Sequence, residues 1–268
     1  MGSTLQTSLS EPKARTLAAF GDSIAAGLGT QGEPYPALVA DELGARYIDL
    51  TATGATVTHA LSVRAQAAGA DIVLVGFGVT EAMIRPTDRS LRLLPKRWRR
   101  PGWMDPRPYY SRRRWKRIGQ MIESATRWRI KVALIHMTGG TRWMSTRAYE
   151  RSLVELVDYL QAADTAATIV IISHFGLDDR FFPASAASLQ EFLAINRRVA
   201  EVKKTLFCDA TVVCRQWDDF LADRFHPARS GHERIASNLI ALLDATDAVR
   251  GQEQSPRPPP ESFPSPIV

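Results

Sequence analysis

Residues 16–23 read Thr-Leu-Ala-Ala-Phe-Gly-Asp-Ser, and the fold turns on how that stretch is read. An uncharged, largely apolar run ends abruptly in Gly21-Asp22-Ser23, the pattern of a buried strand that stops at a turn. Similar runs recur at 47–50, at 72–77 (Ile-Val-Leu-Val-Gly-Phe), at 169–172 (Ile-Val-Ile-Ile) and at 205–213. Between several of them lie segments with helical spacing: 36–43, 56–68, 147–162, 187–203 and 230–244. Strands that alternate with helices imply parallel strands joined by helical crossovers. The expectation is a three-layer α/β/α, flavodoxin-like domain over 14–249, built on a mainly parallel five-stranded sheet.

The flanks differ from this core. Residues 1–13 mix Ser, Thr, Glu and Lys and read as a flexible N-terminus, while 250–268 reads as a Pro-rich disordered tail, with six prolines after residue 250. Ser230 followed by Glu233 predicts an N-cap and capping box for the last helix. The stretch 85–146 does not fit the alternation. It holds tryptophans at 98, 103, 115, 128 and 143, and between Arg85 and Arg117 thirteen residues are Lys or Arg against Asp88 and Asp105. It reads as a basic, Trp/Arg-rich insertion or cap, with a helix over 111–128 and a further strand over 132–135.

The net charge of +6 is therefore local, because the chain without 85–117 is slightly acidic. At 45% apolar and 23% charged, the composition suits a soluble globular domain. No apolar run approaches the roughly 20 residues of a spanning helix, and a cytoplasmic protein is expected. Cys208 and Cys214 fit neither a redox pair nor a zinc knuckle and read as buried thiols. His59, His136 and His174 lack ligand-like spacing, so no metal and no cofactor is expected. Arginine interleaved with Trp and Tyr suits an anionic ligand, a membrane surface or sugar faces. Nucleic acid is not expected, since no recognised module accompanies the charge.

In open α/β sheets, reactive groups collect at the carboxyl ends of the strands. Gly21-Asp22-Ser23, Ala52-Thr53-Gly54-Ala55, Gly78-Val79-Thr80-Glu81 and Asp223-Arg224-Phe225-His226-Pro227 all fall at such places. A serine hydroxyl needs a base to take its proton, and the base must be held in the right tautomer. Asp223 and His226, three apart, can share a face so that one imidazole nitrogen meets the carboxylate and the other faces Ser23. Backbone N–H groups of Ser23 and Gly54 could serve an oxyanion. His232 is expected to cap or pack under the last helix, and Asp22 to hold its turn. A rival pattern, Gly27-Leu28-Gly29-Thr30-Gln31-Gly32 with Asp49, matches a dinucleotide fingerprint on paper. Its strand ends too early, at Phe20, and Pro34 and Pro36 would fall in the opening turns of the phosphate-binding helix.

Phe20-Gly21-Asp22-Ser23, Gly54, Gly78-Val79-Thr80-Glu81 and Asp223 to His226 together resemble the blocks of the SGNH (GDSL-like) hydrolase family. The run His226-Pro227-Ala228-Arg229-Ser230-Gly231-His232 is similar to that family's last block, and order and spacing agree over about 16–84 and 147–245. The resemblance implies a serine esterase or acylhydrolase acting on an O-acyl ester of a glycan, lipid or small metabolite. Ser23 would be the nucleophile, Asp223 and His226 its base, and Ser23, Gly54 and Thr80 the oxyanion hole. The family's third block usually supplies an Asn amide where Thr80 stands, and Asp where Glu81 stands. Loss of one oxyanion donor typically costs ~10²–10³ in turnover. Two alternatives follow: an acyltransferase of the same fold that moves an acyl group to a sugar or other hydroxyl, and a non-catalytic SGNH-like binding module.

Overall fold

The computed structural model describes residues 14–99, 107–164, 166–215 and 217–253. Its sheet contains β1 (Thr16–Gly21), β2 (Arg46–Thr51), β3 (Ile72–Gly76), β4 (Thr168–Ser173) and β5 (Leu206–Asp209) in the order β2-β1-β3-β4-β5. Every neighbouring pair is parallel, as the alternation of elements implies. The central strands β1, β3 and β4 are buried almost throughout, which is why they read as continuous apolar runs. β2 and β5 are the edges, and β2 exposes Arg46 and Asp49.

The helices are α1 (Tyr35–Glu42), α2 (Val57–Val63), α3 (Val79–Ala82), α4 (Asp88–Leu91), α5 (Arg114–Thr138), α6 (Thr146–Ala163), α7 (Ser185–Lys203) and α8 (Arg229–Glu253). α1 packs with α8, and α6 packs with both α2 and α7. Right-handed crossovers produce this division: the chain steps one way from β1 to β2 and the other way from β2 to β3, so α1 and α2 lie on opposite faces. The switch point consequently falls between the carboxyl ends of β1 and β3, the place where such sheets hold ligands.

Three expectations need correction. Residues 132–135 belong to α5 and form no strand, since Leu134 and Ile135 continue one buried helical face with Ser124, Arg127 and Lys131. A short apolar run cannot reveal its period, and here the helical one prevails. The run 205–213 is strand only to Asp209, whose carboxylate accepts from Thr211 N–H and turns the chain into a short 3₁₀ segment, Ala210–Val212. The last helix starts at Arg229, so Ser230 lies inside it, and Glu233 pairs with Arg229 at 2.7 Å instead of closing a capping box. That helix also runs past 249 to Glu253. The N-terminal stretch 1–13, the tail from 254, Trp103 and Asp105 lie outside the described residues.

The 85–146 stretch leaves and rejoins the domain at one point, where Arg85 and Thr141 exchange two backbone hydrogen bonds of 2.9 and 2.7 Å. Within it, Leu91 and Leu134 form a small core of their own with Leu94 and Ile130. Trp128 fastens α5 to the domain by donating its indole N–H to Phe181 O at 2.9 Å. Among the described residues, no helix is long and apolar enough to cross a membrane.

Candidate active site

Past the end of β1 the chain coils at once: Ala26 N–H donates to Asp22 O and Leu28 N–H to Ser23 O. The Asp22 carboxylate accepts from Ile24 N–H at 2.9 Å and fixes the turn that lifts Ser23 off the strand. Ser23 itself is 6% exposed. Among the described residues no group accepts from the backbone N–H of Ser23 or of Gly54. The Gly54 loop is drawn to the end of β1 by Ala52 N–H donating to Gly21 O at 3.1 Å.

The partner of Ser23 arrives from the far end of the chain. Leu221 N–H donates to His226 O at 2.8 Å and Ala228 N–H to Asp219 O at 2.8 Å, which closes the 219–228 segment on itself. Buried Asp219 anchors it further, accepting from Arg215 N–H at 2.6 Å and pairing with Arg234 of α8 at 3.0 Å. Arg224, at φ 57°, takes the left-handed conformation that turns Asp223 back toward His226. Asp223 Oδ1 accepts from Phe225 and His226 N–H at 3.1 and 3.0 Å, while Oδ2 lies 2.5 Å from His226 Nδ1. His226 Nε2 stands 2.8 Å from Ser23 Oγ. A carboxylate only accepts, so Nδ1 carries the proton and Nε2 is left to accept from the serine hydroxyl. The Phe225 ring meets the imidazole edge-on at 4.6 Å and restrains its rotation.

Beneath this line lies a second set of buried polar groups. Glu81 is 0% exposed and spans two loops: Oε1 accepts from Val57 N–H at 2.8 Å and Oε2 from Gly78 N–H at 2.9 Å. Gly78, at φ 119°, has a backbone that a side chain would strain, and that conformation lets Glu81 reach back. Burial raises the Glu81 carboxyl to about 7, with Asp22 adding to the shift and the two N–H donors opposing it. Thr80, which the family resemblance would place in the oxyanion hole, donates its hydroxyl to Asp22 Oδ2 at 2.7 Å. A hydroxyl has one proton, so in this arrangement Thr80 has none for an oxyanion. Its length explains the difference, since an Asn amide carries two N–H donors on a longer arm.

Asn196 and Tyr35 were not singled out by the sequence, and His174 was weighed there only as a metal ligand, while His232 packs under the last helix as expected. Asn196 of α7 donates to Phe77 O at 3.0 Å and accepts from the Tyr149 hydroxyl at 2.7 Å, which ties the end of β3 to α6 and α7. Tyr35 stacks on His232 with ring centroids 6.0 Å apart, its backbone N–H donates to His232 Nδ1 at 3.2 Å, and its hydroxyl lies 3.4 Å from His174 Nε2. Both histidines are fully buried, and Nδ1 of His174 and Nε2 of His232 meet no partner among the described residues. Burial holds both imidazoles below their ordinary range, His232 at about 4. Gly76 makes room for this cluster, because a Cβ there would lie 2.8 Å from Tyr35 Oη and 2.9 Å from His174 Cε1. The available signal was position: His174 follows the apolar run of β4 directly, at the carboxyl end of the sheet. Asp49 of the rival glycine pattern is spent on Thr51, accepting from its N–H and hydroxyl at 3.0 and 2.7 Å.

A cavity of about 290 Å³ adjoins the Asp223–His226 segment and is lined by Phe175, Leu177, Asp178, Trp217, Phe220 and Arg224. The Trp217 ring is faced by two guanidinium groups, Arg224 at 4.7 Å and Arg180 at 5.1 Å from its centroid.

A three-layer α/β/α domain with a hydrogen-bonded Asp–His–Ser line at the carboxyl end of its sheet is the layout of a serine-dependent ester hydrolase. The model of the GDSL-like Lipase/Acylhydrolase family matches residues 19–234, and the chain belongs to that family. Solved structures of similar fold include a lipase/acylhydrolase from Enterococcus faecalis, with TM-score 0.56 and 16% identity over 87% of this chain and 96% of that one. TesA gives 0.54 and 17% over 86% and 99%, and Axe2, an acetylxylan esterase from Geobacillus stearothermophilus, gives 0.52 and 18% over 85% and 94%. At these identities the likeness is one of fold. No curated protein sequence matches the chain.

Proposed function

We propose that the chain hydrolyses an O-acyl ester of a glycan, lipid or small metabolite through an acyl-enzyme on Ser23. The continuous line from Asp223 through His226 to Ser23 Oγ, at 2.5 and 2.8 Å, carries this reading. Ser23 Oγ attacks the ester carbonyl carbon as its proton passes to His226 Nε2, and the Asp223 carboxylate stabilises the imidazolium. Negative charge on the former carbonyl oxygen is met by the N–H groups of Ser23 and Gly54. The intermediate collapses, the alcohol leaves with the proton from His226, and a water activated by the same imidazole then frees the acid. Thr80 acts one step back, holding Asp22 and hence the serine turn. A cytoplasmic location belongs to the same reading, supported by the two free thiols.

Labelling by a fluorophosphonate tests the proposal, because it requires an activated hydroxyl and no particular substrate. Ser23 should be the labelled residue, and the Ser23→Ala protein should be inert to the probe. Labelling elsewhere, or none in folded protein, removes the assignment and leaves a binding module.

One observation favours a second reading, in which the acyl group passes to a hydroxyl acceptor. The cavity beside the His226 segment, lined by Phe175, Leu177, Trp217 and Phe220 with Asp178 and Arg224, joins aromatic walls to polar groups, a mix suited to a sugar acceptor. Adding sugar acceptors to a single-turnover reaction should then divert acyl groups from free acid to a new ester. An unchanged yield of acid across acceptors would favour plain hydrolysis.

A further inference from the structure

α5 reverses the usual rule for a surface helix. Its inner face buries Ser124, Arg127 and Lys131 along with Leu134 and Ile135. Its outer face presents Trp115, Ile118, Met121 and Ile122 at 88%, 50%, 46% and 64% exposure. Positions 115, 118 and 122 fall on one stripe at helical spacing, with Met121 beside it. Single exposed apolar residues need no explanation, but a contiguous set does. Around the stripe stand Arg112, Arg113, Arg114, Lys116 and Arg117, all exposed and none with an acidic partner among the described residues. The one acid of α5, Glu123, is already paired with Arg107 at 2.8 Å.

We propose that this face of α5 docks on the surface of an anionic lipid bilayer. Trp115, Ile118, Met121 and Ile122 enter the boundary between headgroups and acyl chains, while the five basic side chains lie along the surface and reach lipid phosphates. The occupant follows from charge and polarity together. A second copy would bring five unpartnered cations of each chain against their equivalents. Nucleic acid would answer the cations but leave four large apolar side chains against phosphate or water. A bilayer with acidic headgroups answers both. The inference does not depend on the chemistry at Ser23, so the two can fail separately.

Cosedimentation of the full chain with vesicles tests it. Protein should pellet with mixed phosphatidylglycerol and phosphatidylcholine at about 0.1 M salt, remain in solution with phosphatidylcholine alone, and be released at about 1 M salt, where screening shortens to about 3 Å. Ile118→Ser with Ile122→Ser should lower partitioning about ten-fold or more, and each of Arg113→Gln, Arg114→Gln, Lys116→Gln and Arg117→Gln about five-fold. Brominated acyl chains should quench tryptophan fluorescence in the parent and much less in Trp115→Phe. Circular dichroism and turnover of a soluble short-chain ester should stay as in the parent, because these side chains touch neither core nor Ser23. Pelleting that ignores headgroup charge, or that survives the isoleucine pair, would overturn the proposal. So would a dimer that dissolves in the isoleucine variant, or retention on duplex DNA, with no vesicle binding in either case.

Discussion

The carboxyl end of the sheet and the outer face of α5 depart from ordinary protein surfaces in opposite directions. Around Ser23, ionisable side chains are hidden: Asp22, Glu81, His174, Asp223 and His232 are at most 1% exposed. On α5, Trp115 and Ile122 stand more than half in water. A buried polar group is costly unless hydrogen-bonded, and an exposed apolar group loses the gain of burial. The carboxylates of the first region answer their cost from within the chain, with three bonds to Asp223 and two backbone donors to Glu81, while burial holds the His174 and His232 imidazoles below their ordinary range. The second has no such answer among the described residues. The contrast teaches that buried carboxylates whose donors are in place hold the chain to itself, whereas an apolar stripe left in water points outward.

The strongest way to break the inward half is at its centre. Ser23→Ala and His226→Ala should each lower kcat for a short-chain aryl ester by about 10⁴-fold or more with the fold intact by circular dichroism, since such groups act as a unit. Turnover near that of the parent in the Ser23→Ala protein would place the chemistry elsewhere.

Glu81→Gln should come next, costing about 1–3 kcal/mol, because an amide sets a donor against the N–H of Val57 or Gly78. The same change alters the pH profile. The folded state keeps the Glu81 proton up to about 7 while the unfolded chain loses it near 4.5, so this contribution to stability is full below that lower value and fades as pH rises toward 7. Urea unfolding should show that the decline across this window is smaller in Glu81→Gln.

Thr80→Val sharpens the comparison by removing the donor to Asp22 at nearly constant volume. It should destabilise by about 1–2 kcal/mol, through a buried carboxylate oxygen left without its partner, while kcat changes by less than about ten-fold. A fall in kcat of about ten-fold or more, with KM unchanged, would show that the hydroxyl swings to the oxyanion during turnover.

The smallest effect is expected at His232. Its folded imidazole stays neutral down to about 4, whereas the unfolded chain takes a proton near 6.5, so stability is lost as pH falls between those values. His232→Asn keeps an acceptor for the Tyr35 N–H and cannot titrate. Thermal melting should then depend less on pH across that acid window.

Much of the inward region was legible because it obeys simple rules. Apolar runs that stop at Gly-Asp-Ser or Gly-Val-Thr-Glu mark strand ends, and strand ends are where an α/β sheet gathers its chemistry. What stayed hidden was the direction of individual bonds. Nothing in Gly-Val-Thr-Glu says that the threonine turns to Asp22 and the glutamate back to Gly78. The cluster of Tyr35, His174 and His232 was equally silent, since its members are far apart in the chain and meet only across α1, β4 and α8. α5 misled in a different manner. Its apolar run at 132–135 reads as a strand, yet it continues the helix, and the buried face that it extends also carries Arg127 and Lys131, the latter with its ammonium 4.8 Å from the Phe182 ring centroid.

The hydrogen bond between Ser23 and His226 joins residues 203 positions apart. A ribosome adding about 5–20 residues per second would need roughly 10–40 seconds to pass from one to the other. On the proposed mechanism the nascent chain carries, through that interval, a serine without a base, and its hydroxyl is no more reactive than any other. Chemical competence arrives as a late event, when the 219–228 segment closes and α8 settles against α1. On the same mechanism a chain interrupted before His226 is inert rather than a stray, half-shaped hydrolase.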